Sequence, residues 1–342
     1  MVVQGITGSI MAFEPELDRT FHPHLAYVRP GAEVLSLKDI TDAVSRQRGG
    51  EPVVAYEPSL SPELSCEMLL PSGVAYVNQY TGKVLGVRVR GQTFLGYVRA
   101  LHVRLGFGAI GRNVLRWSAV AALLSAISGL YLWWPIKRMS IHVSGGTRRF
   151  WFDLHCVIGI CSLLPLTLLA ASGVVLGFES QAASLIYRIT QSAPTQVSRS
   201  ARKPTTGTWL IDADAAVAIA RSRMPGAVPY RVQMPQYGGL YRVDLMYLND
   251  RVAGSRNVVA LDPSDGAVVL LNRSADLSRG DWILAANEAL HTGSILGMPT
   301  RVLASLSSLI VFVQALSGAF IWLHRNRILR AAIRSATEEL SK

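Results

Sequence analysis

Residues 100–112 read "ALHVRLGFGAIGR", and residues 289–301 read "ALHTGSILGMPTR". In both stretches, Ala-Leu-His is followed by a Gly six residues after the His and by an Arg ten residues after it. Each stretch comes just before a long apolar run. The chain therefore places a histidine twice in the same frame at the edge of a predicted membrane span.

The apolar residues are concentrated in three long runs, 114–134, 156–178 and 302–323. The first run carries a single charge, Arg116, and the other two carry none. Each exceeds the roughly 20 residues that a helix needs to cross a bilayer. We expect three full transmembrane helices. Residues 1–13 are also apolar but too few to span, and we expect them to be the second half of a shortened first membrane helix.

The net charge of +11 comes largely from basic residues at the ends of these runs. They are Lys137, Arg138, Arg148 and Arg149 before the third helix, and Arg325, Arg327 and Arg330 after the last one. This is the positive-inside pattern, which predicts that residues 137–149 and the C-terminal tail are cytoplasmic. The predicted partner of these basic residues is the lipid bilayer. We expect no nucleic-acid partner, because nucleic-acid binding would need a basic face on a soluble domain.

Four apolar segments end alike, each with Ser or Thr followed by Gly. They are "ITGSIMAFE" at 6–14, "ISGLYLWW" at 127–134, "ASGVVLGFE" at 171–179 and "LSGAFIWL" at 316–323. Small residues at such positions let membrane helices approach closely. The order is helix, outside segment, helix, and then the same again, which indicates an internal duplication.

The two outside segments also match each other. Residues 35–48 and 211–227 have helical apolar spacing, and residues 73–89 and 257–271 each predict strand, turn and strand. The stretch 192–208 is typical of a linker, and 235–239 of a flexible loop. The predicted fold is an α-helical membrane bundle with two small α+β modules outside it.

Taken in their order along the chain, several short motifs resemble those of the PepSY-associated transmembrane proteins, often called iron-regulated membrane proteins. This family includes inner-membrane ferric-siderophore reductases. The resemblance rests on "TGSIMAFEPELD", "YVNQYTGKVLG", "LH" before "SGLYLWWP", "DLHCVIGI" and "LHTGSILG". It implies four helices, two periplasmic PepSY modules and b-type haem held by membrane histidines. It also implies a histidine in the first helix, about ten residues upstream of Met1, so we expect one haem site to be incomplete.

The predicted divisions follow from the spans and the resemblance. They are the partial helix 1–13, module 1 at 14–111, a helix at 112–136, a cytoplasmic loop at 137–149, a helix at 150–178, module 2 at 179–300, a helix at 301–324 and a cytoplasmic tail at 325–342.

Three of the seven histidines, His102, His155 and His291, are the candidate haem ligands. Ionisable groups at membrane depth usually face the bundle interior and have a function. Parallel repeats are related by an axis along the membrane normal, which predicts that His102 and His291 face each other near the periplasmic side. His155 would pair with the implied histidine upstream of Met1.

Two facing imidazoles suit the iron of a low-spin haem, whereas catalytic zinc needs three ligands and an open position. Gly108 and Gly297, six residues after each His, would let the backbone lie close to a flat macrocycle. Arg112 and Arg301, ten residues after each His, are candidates for pairing with haem propionates, with anchoring at the membrane surface as the open alternative.

The other candidates are weaker. We expect His22 and His24 to be a surface pair rather than a metal site, and His142 and His324 to be solvated or lipid-facing. Cys66, Cys156 and Cys161 predict no disulfide framework or thiolate metal site and are expected to be packing residues.

The predicted function is transfer of electrons across the bacterial inner membrane to reduce ferric siderophores in the periplasm during iron uptake. The donor would be a quinol or a cytoplasmic flavin reductase. The alternative is a non-enzymatic PepSY protein that binds or regulates a partner and uses the helices only as an anchor. A transporter is disfavoured, because midplane acidic residues and broken helices are missing from the sequence pattern.

Overall fold

The computed structural model describes residues 1–59, 61–195, 198–199, 210–235, 239–248 and 257–340, with only the backbone described for 198–199 and 327–340. The chain forms two compact units. The first consists of Met1–Phe13, Val98–Ala182 and Leu290–Lys342, and the second of Glu14–Tyr97 and Ala183–Ala289. Both units are assembled from segments of both sequence repeats.

The described part of the chain consists of helices interspersed with short strands. In chain order, the helices are α1 (Val2–Met11), α2 (Glu14–Phe21), α3 (Pro23–Ala26), α4 (Leu37–Gln47), α5 (Phe94–Arg104), α6 (Gly108–Trp133), α7 (Gly146–Cys161), α8 (Leu163–Gly177), α9 (Glu179–Thr190), α10 (Ala213–Arg223), α11 (Arg279–His291) and α12 (Met298–Leu340). The strands are β1 (Ala55–Glu57), β2 (Cys66–Leu70), β3 (Gly73–Val77), β4 (Val84–Arg88), β5 (Ser198–Arg199), β6 (Val228–Gln233), β7 (Tyr241–Met246), β8 (Asn257–Leu261) and β9 (Val268–Asn272).

Two of the described helices are long and apolar enough to cross a membrane, namely Gly108–Trp133 and the Met298–Asn326 part of α12. A third span exists if the pair Val143–Cys161 and Leu163–Gly177, which meet at a bend of 68°, counts as one. The sequence predicted a continuous third span instead. The bend follows from Pro165, because proline has no N–H for the helix ladder and its ring clashes with the carbonyl four residues earlier.

Small residues bring the helices of the first unit together. Helix α1 packs on α12, and α6 packs on α8, so each pair joins one helix from each repeat. A Cβ on Gly5 would lie 2.5 Å from the main-chain oxygen of Ser308, and the hydroxyls of Ser9 and Ser305 are 2.7 Å apart. The small side chains of glycine and serine allow this close approach.

The second unit contains an antiparallel sheet to which both modules contribute strands. Among the described residues the strand order is β4-β3-β2-β1-β6-β7-β8-β9-β5. Strand β1 of the first module pairs with β6 of the second, with Ala55 opposite Gln233 and Tyr56 opposite Val232. The sequence predicted the helix, strand and turn of each module but not this joint sheet.

The two module helices share one core on one face of the sheet. Ile40 and Val44 of α4 and Ala216 and Ala220 of α10 are fully buried in the same cluster. The carboxylate of Asp214 accepts hydrogen bonds from the main-chain N–H groups of Leu37 and Lys38, at 2.8 and 2.9 Å. An acidic group at a helix N-terminus satisfies free N–H groups and complements the helix dipole, so Asp214 ties α10 to the start of α4.

The predicted linker at 192–208 and the predicted flexible loop at 235–239 lie largely outside the described residues. Cys66 is buried, and its thiol contacts the main-chain oxygen of Val77 at 3.3 Å. Burial raises the pKa of Cys66 to about 12, so the thiol stays protonated and packs as an apolar group.

Candidate functional site

His102 lies in the last turn of α5 and contacts the Thr-Gly pair of α1. Its Nδ1 atom lies 2.9 Å from Thr7 Oγ1. A Cβ added to Gly8 would lie 3.1 Å from Cε1 of the same ring. His102 is partly buried, whereas Leu101, Val103 and Arg104 around it are exposed. The His102 ring therefore lies between the Thr7 hydroxyl and Gly8, which has no side chain.

His291, the last residue of α11, has the same surroundings on α8. Its Nδ1 atom lies 2.9 Å from Ser172 Oγ, and a Cβ on Gly173 would lie 3.4 Å from Cε1. The equivalent positions of His102 and His291 in the repeated Ala-Leu-His frame therefore have equivalent contacts. That the two rings share one haem iron remains a prediction.

His155 in α7 contacts the Ser-Gly pair of α12. Its Nδ1 atom lies 2.8 Å from Ser317 Oγ, and a Cβ on Gly318 would lie 3.5 Å from Cε1. Its main-chain oxygen accepts a hydrogen bond from Gln314 Nε2 at 3.0 Å, which adds a second tie between α7 and α12. Three histidines therefore share one arrangement of hydroxyl, ring and glycine.

The fourth Ser-Gly pair, Ser128 and Gly129 of α6, has no imidazole beside it in the part of the chain that the structure describes. The Ser128 hydroxyl donates to the main-chain oxygen of Ser125 at 3.1 Å. A Cβ on Gly129 would meet open space. This pair provides an internal comparison for the other three.

A model of the family described as the PepSY-associated TM region matches residues 1–325. The chain belongs to this family. It is accordingly a membrane protein, in agreement with its long apolar helices. No curated protein matches the chain. The resemblance inferred from the sequence strings is confirmed.

In this PepSY-associated membrane protein, the two predicted glycines stand at the start of α6 and α12. Gly108 has φ of +55° and begins α6, and Gly297 has φ of +77° and directly precedes α12. Residues with a Cβ disfavour positive φ angles. The turn that leads into each span therefore explains why glycine stands at these two positions. A Cβ at either position would meet open space, and the predicted approach to a macrocycle remains a prediction.

The two predicted arginines differ from each other. Arg301 donates from Nε and from one terminal nitrogen to the main-chain oxygen of Ala12, at 3.0 and 2.6 Å, and its guanidinium lies 5.2 Å from the centre of the Phe13 ring. Arg112 is exposed. The matching contact is made by Arg116, whose guanidinium lies 5.9 Å from the centre of the Phe178 ring. The aromatic contact in the first repeat thus lies one helical turn beyond the residue that the ten-residue spacing selected.

His142 is exposed, as expected, but it also contacts a buried carboxylate. Its Nδ1 and main-chain nitrogen lie 2.8 and 3.1 Å from Asp153 Oδ2, and Arg138 contacts the other oxygen of this carboxylate. Asp153 is fully buried and precedes His155 by two residues. Arg138, His142 and Asp153 thus form a polar cluster at the start of the bent helix pair, which the sequence pattern did not predict.

The remaining histidines do not contribute to a ligand cluster. The rings of His22 and His24 are 6.4 Å apart, and His22 lies beside Asp18. His324 lies 6.0 Å from the Phe320 ring. Among the described residues there is no group of three or more His, Cys, Asp or Glu side chains placed to hold a metal ion.

A second polar cluster holds the start of α11, the helix that ends at His291. Asp281 accepts hydrogen bonds from the Tyr187 hydroxyl at 2.7 Å, from the Thr195 main chain and hydroxyl at 2.6 and 2.5 Å, and from the Ser278 hydroxyl at 2.9 Å. Burial raises the pKa of Asp281, but these hydrogen bonds together outweigh it and hold the pKa at about 2. The carboxylate is therefore charged and fully engaged at neutral pH.

Proposed function

We propose that this protein is an inner-membrane b-type haem protein that carries electrons across the membrane to reduce ferric siderophores on the periplasmic side. The observation that supports this most is the pair His102 and His291. Each imidazole stands in the repeated Ala-Leu-His frame and lies between a hydroxyl and a glycine.

The donor set fits haem better than a protein-ligated metal ion. A low-spin haem iron takes one axial ligand on each side and draws its other four from the porphyrin, so two imidazoles suffice. A zinc site needs three or four protein ligands, and the described residues provide no such group. A bound haem supplies one-electron chemistry at its iron, while the chain binds and orients it. His102 and His291 would hold one haem, and His155 would ligate a second.

The proposed topology follows the charge pattern of the chain. We place α6, the α7–α8 pair and the first part of α12 across the membrane, and we place α1, which packs on α12, within the membrane beside it. Lys137, Arg138, Arg148 and Arg149 lie on the cytoplasmic side under the positive-inside rule. The two modules are then periplasmic under the same rule. We place His102 and His291 near the periplasmic side of the membrane and His155 nearer the cytoplasm.

This arrangement suits the reduction of an external iron complex. Siderophores hold ferric iron through hard oxygen ligands, and one added electron gives ferrous iron, which these ligands hold less strongly. The reaction needs no acid, base or nucleophile from the protein. The electron donor is proposed to be a quinol or a cytoplasmic flavin reductase, with His155 on the path between the donor and the periplasmic pair.

Proteoliposomes test the proposal directly. Haem-loaded protein is reconstituted in vesicles that enclose dithionite, with a ferric siderophore and a ferrous-specific chromogenic chelator outside. We expect ferrous iron to form faster than in protein-free vesicles, and His102→Ala to abolish the difference. Equal rates with and without the protein would refute electron transfer and favour the alternative, a membrane-anchored PepSY protein that binds or regulates a partner.

A further inference from the structure

The hydroxyl beside each histidine indicates which imidazole nitrogen is protonated. Thr7 Oγ1 lies 2.6 Å from the main-chain oxygen of Val3 and 2.9 Å from Nδ1 of His102. A carbonyl oxygen only accepts hydrogen bonds, and a hydroxyl carries one proton. A threonine or serine hydroxyl within a helix commonly donates to the carbonyl three or four residues earlier, so Thr7 donates to Val3 and its oxygen accepts from His102. The ring proton of His102 is then on Nδ1.

Ser172 makes the same two contacts. Its Oγ lies 3.0 Å from the main-chain oxygen of Leu169 and 2.9 Å from Nδ1 of His291. The Leu169 oxygen can only accept, so the Ser172 hydroxyl donates to it and accepts from Nδ1 of His291.

Ser317 repeats the pattern with His155. Its Oγ lies 3.2 Å from the main-chain oxygen of Gln314 and 2.8 Å from Nδ1 of the ring. Serine and threonine within helices commonly donate to the carbonyl three or four residues earlier. Their oxygen is then left as an acceptor on the side that faces a neighbouring helix.

We propose that the hydroxyls of Thr7, Ser172 and Ser317 are positioning groups that hold the three histidines in the Nδ1–H tautomer. A neutral imidazole has one N–H, so this tautomer leaves the lone pair of Nε2 free to ligate. Free histidine in water prefers the opposite tautomer, so the protein must impose this one. The assignment of the tautomer stands alone, and only the use of Nε2 as an iron ligand rests on the proposed function.

The tautomer is measured without haem by nitrogen-15 NMR of histidine-labelled protein in nanodiscs at pH 8. We expect a protonated Nδ1 and an unprotonated Nε2 for His102 and His291. Thr7→Val should move His102 toward the Nε2–H form, and Ser172→Ala should do the same to His291. Thr7→Ser keeps a hydroxyl and should give the signal of the unmodified protein. Ser128→Ala is the matched control, because it removes a hydroxyl from a Ser-Gly pair that no described imidazole contacts.

Haem titration provides the second readout. Removing a hydrogen bond to the outer nitrogen of a ligating histidine typically weakens metal binding about ten- to a hundredfold, and we expect a loss of that size in Thr7→Val and Ser172→Ala. The reduction potential should rise, because a less basic ligand stabilises ferric iron less. Ser128→Ala should bind haem as the unmodified chain does.

The outcomes separate the two claims. A protonated Nε2 on His102 and His291 in the unmodified protein, or unchanged tautomers in both hydroxyl variants, would overturn the positioning role. A protonated Nδ1 in a protein that binds no haem would leave the positioning role standing and refute the proposed function. Thr7→Val changes α1 and Ser172→Ala changes α8. If one of these variants misfolds, the other still tests the positioning role.

Discussion

Ser172 Oγ lies 2.9 Å from Nδ1 of His291. This hydrogen bond joins α8 to the end of α11, and Thr7 and His102 repeat it at the same distance. Each Ser/Thr-Gly pair that contacts a histidine thus provides an acceptor for the ring and room for the ring edge. The same arrangement recurs a third time, between Ser317, Gly318 and His155.

The glycine of each pair leads to a steric prediction. A Cβ on Gly8 would lie 3.1 Å from Cε1 of His102, so a larger side chain must displace the ring. We expect Gly8→Leu to reduce haem occupancy at least tenfold in a haem-titration assay. Gly129→Leu is the control, because its Cβ would meet open space. Equal loss in the two variants would show that the effect is general disruption of the membrane helices.

The joint sheet leads to a stability prediction. Asp214 accepts two hydrogen bonds from the N-terminus of α4, and Asp214→Ala leaves Leu37 and Lys38 without these acceptors. We expect the free energy of unfolding to fall by about 1–2 kcal/mol, the usual cost of losing a helix cap. Asp42→Ala, at an exposed position on the same helix, should change it by less than about 0.5 kcal/mol. Denaturant titration followed by tryptophan fluorescence measures both, and no difference between them would contradict the role of Asp214.

Asp281 leads to a prediction about pH. Its pKa is held at about 2, below its ordinary value of 3.8, so its hydrogen bonds stabilise the fold fully above about pH 4. This contribution, on the order of 2 kcal/mol, is lost as the pH falls through about 2. We expect Asp281→Asn to melt at a lower temperature than the unmodified protein at pH 6, with the gap narrowing toward pH 2.5. A gap that stays constant over this range would show that the charge of Asp281 contributes nothing.

The topology is tested by reporter fusions. Reporters fused after residues 140 and 342 should report the cytoplasm, and reporters near residues 60 and 240 should report the periplasm. A periplasmic signal after residue 140 would refute the positive-inside assignment and reverse the proposed direction of electron transfer.

The sequence predicted those parts of the fold that depend on composition and repetition. Apolar spacing and turn residues predict three kinds of feature. They are the two long apolar helices, the module helices that begin after Ser36 and Asp212, and the strand pairs that flank Gly82 and Gly266. The equivalent contacts of His102 and His291 follow from the repeated frame. Each of these features depends on residues that are neighbours in sequence, or on a motif that occurs twice in the chain.

The features that the sequence did not predict depend on contacts between distant segments. Strands β1 and β6 join through main-chain hydrogen bonds, which leave no side-chain pattern. The hydroxyls of Thr7, Ser172 and Ser317 were visible as Ser/Thr-Gly pairs, but their contact with histidine depends on which helices pack together. Arg116 replaced Arg112 as the partner of an aromatic ring for the same reason.

The central claim is that His102 and His291 ligate one haem iron. The most direct measurement is the dithionite-reduced visible spectrum and haem content of purified His102→Ala, His291→Ala and the double variant, with His324→Ala as the control. Because axial ligation is a joint property of both residues, each single variant should lose the same haem, and the double variant should lose little more. Additive loss of two different haems would contradict the pairing, and unchanged spectra in all variants would contradict haem ligation by these histidines.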